Sequence, residues 1–160
     1  MEKAIRLRIE YSKELETERI INTIKRIDWY LDNKYSIASL SFPKSFDTNN
    51  LKKIGEQEIV VAVESEYKLE KYSSVAESTN QLYVAYDSKL ATFIGNIGLQ
   101  VIPEIIIQLT VYGMGGSYSI PNKVIANVSK LYSVGLLRTV LHEIIHLHIQ
   151  HLIDKYKIGQ

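Results

Sequence analysis

The sequence predicts an α+β domain in which a mixed, twisted β-sheet packs against one long, buried helix. Residues 4–11 alternate between polar and apolar side chains, and apolar runs rich in β-branched residues lie at 58–63 and 104–112. Residues 134–153 contain no proline and are dense in Leu, Ile and Val. The chain has 160 residues, of which 46% are hydrophobic, so we expect residues 1–160 to form a single domain with a substantial core.

The first half of the chain is predicted to begin with a strand and an amphipathic helix. In residues 4–11, Ile5, Leu7 and Ile9 share one face, which is typical of a half-buried strand. Residues 14–33 carry Ile20 and its apolar neighbours at helical spacing, which predicts a helix covering one face of the sheet. Three shorter elements follow: a strand at 36–42, a helix at 50–55 and a central strand at 58–63.

The second half is more apolar. Residues 64–80 are polar and are expected to form a loop with up to one helical turn, followed by a short strand at 81–86. Asp87 or Ser88 is expected to cap a helix that continues to Ile97 and ends at Gly98. Strands are predicted at 104–112 and 120–128, and a helix that is apolar nearly all round, and therefore buried, at 134–153.

Three glycines lie between the last two predicted strands, at positions 113, 115 and 116. A glycine-rich loop that binds phosphate leads into a helix N-terminus, whereas the next segment here is a predicted strand. We therefore expect a flexible turn that joins two antiparallel strands, and not a nucleotide site.

The long helix contains the pentapeptide His142-Glu143-Ile144-Ile145-His146, an HExxH motif. His142 and His146 lie about 40° apart around the helix axis and one turn apart along it, so both imidazoles can reach one metal ion. Glu143 lies beside them, where a carboxylate can activate a water molecule without being a ligand. The alternative is a pair of hydrogen-bonded core histidines.

This motif resembles the active-site helix of the zincin metallopeptidases, and the strands before it fit the N-terminal half of such a domain. The resemblance implies that His142 and His146 bind zinc and that Glu143 is the general base and later the proton donor in peptide-bond hydrolysis. It also implies that the strand at 120–128 is an edge strand that pairs with extended peptide. By the same resemblance, one of three tyrosines near the motif is a candidate donor to the developing oxyanion: Tyr112, Tyr118 or Tyr132.

Zincins have a third protein ligand, and this chain departs from their known patterns. Metzincins continue as HExxHxxGxxH, but Ile149 and Leu152 occupy the glycine and last histidine positions. Peptide deformylases use a cysteine ligand, and this chain has no cysteine. Gluzincins take a glutamate from a later helix, and residues 147–160 contain none. The resemblance is therefore more gluzincin-like than metzincin-like, with the missing carboxylate expected beyond Gln160 in a chain truncated at its C-terminus, or from a partner chain.

Two further histidines and one carboxylate follow the motif. His148 and His151 lie about 240° and 180° from His142 around the helix, which places them away from the predicted metal. We expect His148 to be a hydrogen-bonded core residue and His151 to be a partly exposed residue near the helix end. Asp154, near 120°, is a candidate for the third ligand or for a hydrogen-bond partner of one.

Charge and composition exclude several classes of function. The formal net charge is +1, from 19 basic and 18 acidic residues, which favours neither nucleic acid nor an anionic membrane as a partner. The absence of cysteine excludes disulfides, a thiol nucleophile and cysteine-bound zinc. The N-terminus lacks the apolar block of a signal peptide, and no uncharged apolar run reaches the roughly 18 residues of a membrane span. We expect a cytoplasmic protein.

The sequence therefore predicts a zinc-dependent peptidase with a peptide or protein substrate. Two alternatives stay open: a catalytically incomplete zincin-like binding or regulatory module, and a zymogen-like fragment that lacks the third metal ligand.

Overall fold

Four strands form one mixed sheet in a computed structural model, which describes residues 3–130 and 133–156. The strands are β1 (Arg6–Glu10), β2 (Glu104–Thr110), β3 (Gly116–Ser119) and β4 (Lys123–Asn127). Their order in the sheet is β1-β2-β4-β3, with β1, β2 and β4 parallel and β3 antiparallel to β4. The α+β class and the mixed sheet predicted from the sequence are confirmed.

Six α-helices surround this sheet in the described part of the chain. They are α1 (Lys13–Lys25), α2 (Ile27–Asp32), α3 (Glu56–Glu66), α4 (Leu69–Tyr83), α5 (Asp87–Asn96) and α6 (Ser133–Tyr156), with short 3-10 turns at Ile37–Ser39 and Leu51–Lys53. None of the helices in the described ranges is both long enough and apolar enough to span a lipid bilayer.

The alternation of side chains along β2 divides the hydrophobic interior into two cores. Ile105, Ile107 and Leu109 face one way and pack with residues of α4, α5 and α6. On the other side, Thr110 contacts α1, and the second core gathers α1, α2 and α3 around buried residues such as Ile20. The helix that carries HExxH is therefore held by the first core.

Several local predictions are confirmed. Strand β1 lies within residues 4–11, with Ile5 fully buried. The predicted helix at 14–33 is present as α1 and α2, which meet at Arg26. Helix α5 is present from Asp87 to Asn96, and Gly98 follows its end with φ of 79°, a left-handed conformation that glycine adopts without strain. The predicted cap is wrong, because the N-cap residue is Tyr86 and makes no side-chain capping bond.

The predicted central strand at 58–63 is wrong, because these residues form most of α3. Ile59, Ala62 and Val63 are buried at helical spacing, whereas Val61 is 59% exposed, which a central strand would not allow. Glu56 and Glu58 lie in the first turn, where carboxylates interact favourably with the helix dipole. Packing of this face against α1 outweighs the β preference of valine and isoleucine, which amounts to only tenths of a kcal/mol per residue.

The predicted loop at 64–80 and strand at 81–86 are also wrong, since most of these residues belong to α4. The buried face of α4 consists of Tyr72, Ala76, Thr79 and Tyr83, at helical spacing. This inward face consists of two tyrosines, an alanine and a threonine. It therefore lacks the periodic aliphatic residues that indicate a helix in the sequence. Nearer the N-terminus, residues 36–42 form a 3-10 turn and an isolated bridge at Ser41 instead of a strand, and the predicted helix at 50–55 is a single 3-10 turn.

The prediction of two antiparallel strands joined by a glycine turn is wrong as well. The predicted strands at 104–112 and 120–128 contain β2 and β4, which pair in parallel. The glycine segment itself supplies β3, which pairs with β4 and forms the edge of the sheet. The edge strand beside α6 is therefore Gly116–Ser119, and the strand at 120–128 lies inside the sheet.

Helix α6 is buried on one side only, which corrects the prediction that it is buried nearly all round. Leu136, Val140, Ile144 and Leu147 face the first core, while His142 is among the residues on the exposed side. The histidine pair can therefore meet ligands from solvent.

A buried carboxylate lies between α1 and the end of β2. Glu16 has no exposed surface, and its Oε2 atom accepts hydrogen bonds from the Thr110 hydroxyl at 3.1 Å and from the Val111 N–H at 3.3 Å. Its Oε1 atom has no hydrogen-bond partner among the described residues. Burial raises the pKa of Glu16 from 4.5 to about 7, against the opposing effects of these hydrogen bonds and of Arg19.

Arg19 fixes the chain that follows β2. Its Nε atom donates to the Tyr112 carbonyl at 3.4 Å, and its guanidinium occupies the space beside Gly113. A Cβ atom on Gly113 would lie 2.7 Å from that Nε, and the residue has φ of 76°. The glycine turn is thus held in one conformation by α1.

Candidate metal centre

The two motif histidines lie together on one side of α6. Their Nε2 atoms are 3.0 Å apart, as expected for residues one helical turn apart on a shared face. Two nitrogens that bind one tetrahedral zinc at about 2.0–2.1 Å lie about 3.3 Å from each other. The observed separation is close to this value and also lies within the range of an N–H···N hydrogen bond, so the pair is suited either to a metal or to a shared proton.

The surroundings of His146 provide a test of whether a metal fits. Its ring stacks on Tyr118 of β3, with ring centroids 5.4 Å apart and planes at 12°. Its Nδ1 atom is buried and makes no hydrogen bond to any described residue. The Nε2 separation fits two positions of a zinc site, whereas the buried Nδ1 lacks the hydrogen-bond acceptor that a zinc-bound histidine ordinarily has. The described ranges contain no group of three His, Cys, Asp or Glu side chains that could hold a metal ion, so they do not supply the third.

Glu143 lies on α6 next to His142 and close to Gly116 of β3. A Cβ atom on Gly116 would be 3.2 Å from the Glu143 Oε1 atom, which shows how closely β3 approaches this carboxylate. Burial raises the pKa of Glu143, and the neighbouring His142 and His146 act in the opposite direction. A raised pKa makes the carboxylate a better general base near neutral pH.

The close approach of β3 to α6 depends on Gly116. A Cβ atom there would lie 2.6 Å from the Thr139 Cγ2 atom, so a side chain would require Thr139 or the strand to shift. We expect Gly116→Ala to lower the free energy of unfolding by about 1–3 kcal/mol, measured by chemical denaturation. Gly115→Ala is the matched control, because nothing lies within 4 Å of a Cβ at Gly115. Equal effects of the two changes would contradict the proposed close contact.

Tyr118 joins the strand to the last turns of α6. Its hydroxyl donates a short hydrogen bond to Gln150 Oε1, and Gln150 Nε2 donates to Asp154 Oδ1 at 2.7 Å. Helix α6 continues to Tyr156, so Asp154 lies about 12 Å beyond His146 along the axis and is not brought to the pair as a ligand.

Among the three candidate tyrosines, only Tyr118 is placed beside the motif by the described structure. Tyr112 is buried in the second core, where its hydroxyl donates to Glu66 at 2.8 Å. Tyr132 lies outside the described residues. The contact of Tyr118 with His146 was not predicted specifically, since its only sequence signal is its position two residues after Gly116 on one face of a strand.

His148 is the core histidine that the sequence predicts. It is 3% exposed, its Nδ1 atom is 2.7 Å from the Ile144 carbonyl, and its Nε2 atom is 3.0 Å from the Ile102 nitrogen. These contacts define a neutral ring in which Nδ1–H donates and Nε2 accepts from the Ile102 N–H. Burial lowers the pKa of His148, against the effect of the hydrogen bond to Ile144. His151 is exposed, also as predicted.

We expect His148→Ala to lower the free energy of unfolding by about 1–3 kcal/mol at pH 7, because the buried Ile102 N–H loses its acceptor. The pKa is lower in the folded state, so the unfolded chain binds the proton more readily, and this stabilisation decreases as the pH falls below about 6.5. Denaturation curves at pH 7 and pH 5 measure both effects, with the exposed His151→Ala as control. A loss of unfolding free energy that is the same at both pH values would contradict the assigned neutral tautomer.

No protein-family model, no curated protein and no solved structure matches this chain. Its function is therefore inferred from the residues of the site itself.

Proposed function

We propose that this protein is a zinc-dependent peptidase in which His142 and His146 hold the metal and Glu143 moves the proton. The observation that carries the proposal is the convergence of the two Nε2 atoms, 3.0 Å apart, beside a partly buried carboxylate with a raised pKa. A bound zinc supplies Lewis-acid polarisation of the scissile carbonyl and lowers the pKa of water. The same proposal places its action in the cytoplasm, a reducing compartment in which a chain without cysteine needs no disulfides.

Glu143 has a defined part in this chemistry. Its carboxylate accepts the proton of the water that attacks the carbonyl carbon and later donates it to the departing amine nitrogen. Its position against Gly116 excludes water from one side, which keeps its pKa raised and its basicity high.

Strand β3 provides a surface for an extended substrate. It lies at the edge of the sheet, with β4 as its one strand neighbour within the described residues, and it borders α6. A peptide that pairs with the free edge of β3 would pass beside the histidine pair, with specificity set by alternate side chains.

A second candidate is a binding or regulatory module without catalytic turnover. It is favoured by the lack of a third ligand within residues 3–130 and 133–156, and by an Nε2 separation that also suits a hydrogen bond. In that case the pair would share a proton, and the β3 edge would hold a peptide without cleaving it.

The test is the metal content of protein purified without chelators, measured by elemental analysis. We expect near one zinc per chain in the wild type and near none in His142→Ala or His146→Ala. His151→Ala, which removes an exposed histidine from the same helix, is the control and is expected to keep its zinc. A wild type without zinc, or a His146→Ala protein that retains it, would refute the metal site and favour the binding module.

A further inference from the structure

A small cavity lies at the carboxyl ends of the parallel strands β1 and β2. It has a volume of about 290 Å³ and is bordered by Val111, one residue beyond β2, and by Tyr72 of α4. Tyr72 stacks on Tyr11, one residue beyond β1, with ring centroids 5.6 Å apart. Crevices outside the carboxyl ends of parallel strands are common ligand sites. None of the lining residues belongs to α6 or β3, so the cavity is separate from the proposed metal centre.

The wall of the cavity is positively charged. Lys44, Lys68 and Lys71 line it, and none of them forms an ion pair within the described structure. The one carboxylate in the wall, Glu66, already accepts the Tyr112 hydroxyl at 2.8 Å and the Lys44 N–H at 2.6 Å. The cavity wall therefore has three ammonium groups and one carboxylate, and both oxygens of that carboxylate already accept hydrogen bonds. The electrostatic potential in the cavity favours an anion.

Tyr72 provides an independent observation that points to a ligand. The residue is only 1% exposed and its ring is stacked between Tyr11 and Tyr67, the latter with centroids 4.8 Å away. Its hydroxyl makes no hydrogen bond to any residue in the described ranges and is not fully enclosed by protein atoms, so it is free to bond a ligand in the cavity that Tyr72 lines. Burial raises the pKa of Tyr72, so the hydroxyl keeps its proton and remains a donor.

The first turn of α4 adds to the same wall. Lys68 is the N-cap residue of this 15-residue helix and makes no side-chain capping bond. Backbone N–H groups at an uncapped helix start and the positive end of the helix dipole both favour a negative ligand.

We propose that this cavity, the lysine cavity, binds the phosphate group of a small molecule. Lys44, Lys68 and Lys71 supply the charge, and the Tyr72 hydroxyl donates a hydrogen bond to a phosphate oxygen. The volume is at the lower limit of ligand pockets and accepts a phosphate with a short organic substituent, not a nucleotide.

The test is calorimetric titration of the full chain with inorganic phosphate and with glycerol phosphate at constant ionic strength. We expect saturable binding of at least one of them, with Lys68→Gln/Lys71→Gln weakening it about tenfold or more and Tyr72→Phe about threefold or more. Lys53→Gln/Lys89→Gln removes the same charge from exposed positions outside the cavity and is expected to change affinity less than about twofold.

The relative affinities for the two compounds identify the kind of ligand. Tighter binding of glycerol phosphate identifies a phosphorylated metabolite as the ligand, and equal or tighter binding of inorganic phosphate identifies the free anion. Absence of saturable binding up to about 10 mM would refute the site, as would equal weakening by the control variant. Circular dichroism of Tyr72→Phe checks that it is folded, and the lysine variants decide the question if it is not.

Discussion

Replacement of Glu143 by glutamine is expected to reduce peptide hydrolysis by about two to four orders of magnitude while leaving zinc content unchanged. The amide has nearly the same shape as the carboxylate, so it fits the space beside Gly116, but it cannot accept the proton of the attacking water. The loss should appear in kcat, because Glu143 acts on the reacting water and not on the bound peptide.

The measurement uses zinc-loaded protein and a mixture of unstructured peptides whose products are identified by mass spectrometry. Glu77→Gln, which changes an exposed carboxylate on α4, serves as the matched control and is expected to leave kcat unchanged. Undiminished cleavage by Glu143→Gln would contradict the role of this carboxylate, even if the metal site itself is confirmed.

The second large effect is expected for the pH dependence of stability at Glu16. Its pKa is raised to about 7 in the folded state, so the folded chain binds this proton more tightly than the unfolded chain. The free energy of unfolding should therefore decrease as the pH rises from about 4.5 to beyond 7. A shift of this size corresponds to about 3 kcal/mol, since each pKa unit is worth about 1.4 kcal/mol.

Glu16→Gln is expected to remove this contribution and to be more stable than the wild type above about pH 7. Chemical denaturation at half-unit intervals between pH 5 and pH 8.5 measures the difference between the two proteins, which separates Glu16 from other groups that titrate. Glu14→Gln alters an exposed carboxylate on the same helix and is the control. A constant difference between wild type and Glu16→Gln across this range would show that the buried carboxylate does not titrate there.

The elements that are predictable from the sequence are those with a clear periodicity of apolar residues or clear end signals. Strand β1 alternates clearly, α5 has an acidic start and a glycine after its end, and α6 has no breaker over many turns. Helix α3 was missed because its β-branched composition and its helical burial pattern disagree, and tertiary packing decides between them. Helix α4 was missed because its buried face is formed by Tyr72, Thr79 and other residues that are not aliphatic.

The candidate site is likewise only partly predictable from the sequence. The HExxH spacing is sufficient to predict that His142 and His146 converge, because helix geometry alone determines their relative position. It does not predict which strand approaches Glu143, since that depends on β4 inserting between β2 and β3 in the sheet. Gly116 carries the relevant signal, but a glycine in a loop and a glycine that permits close contact look the same in sequence.

The sheet order has a consequence for how the chain folds. Arg6 of β1 pairs with Glu104 of β2, 98 residues later, so these two strands associate only after most of the chain has been synthesised. Pairing over such long separations slows folding relative to helical bundles and leaves β1 temporarily without a neighbour. Arg6 and Arg8, which stay exposed in the finished sheet, would then repel a second copy of β1 and limit aggregation during synthesis.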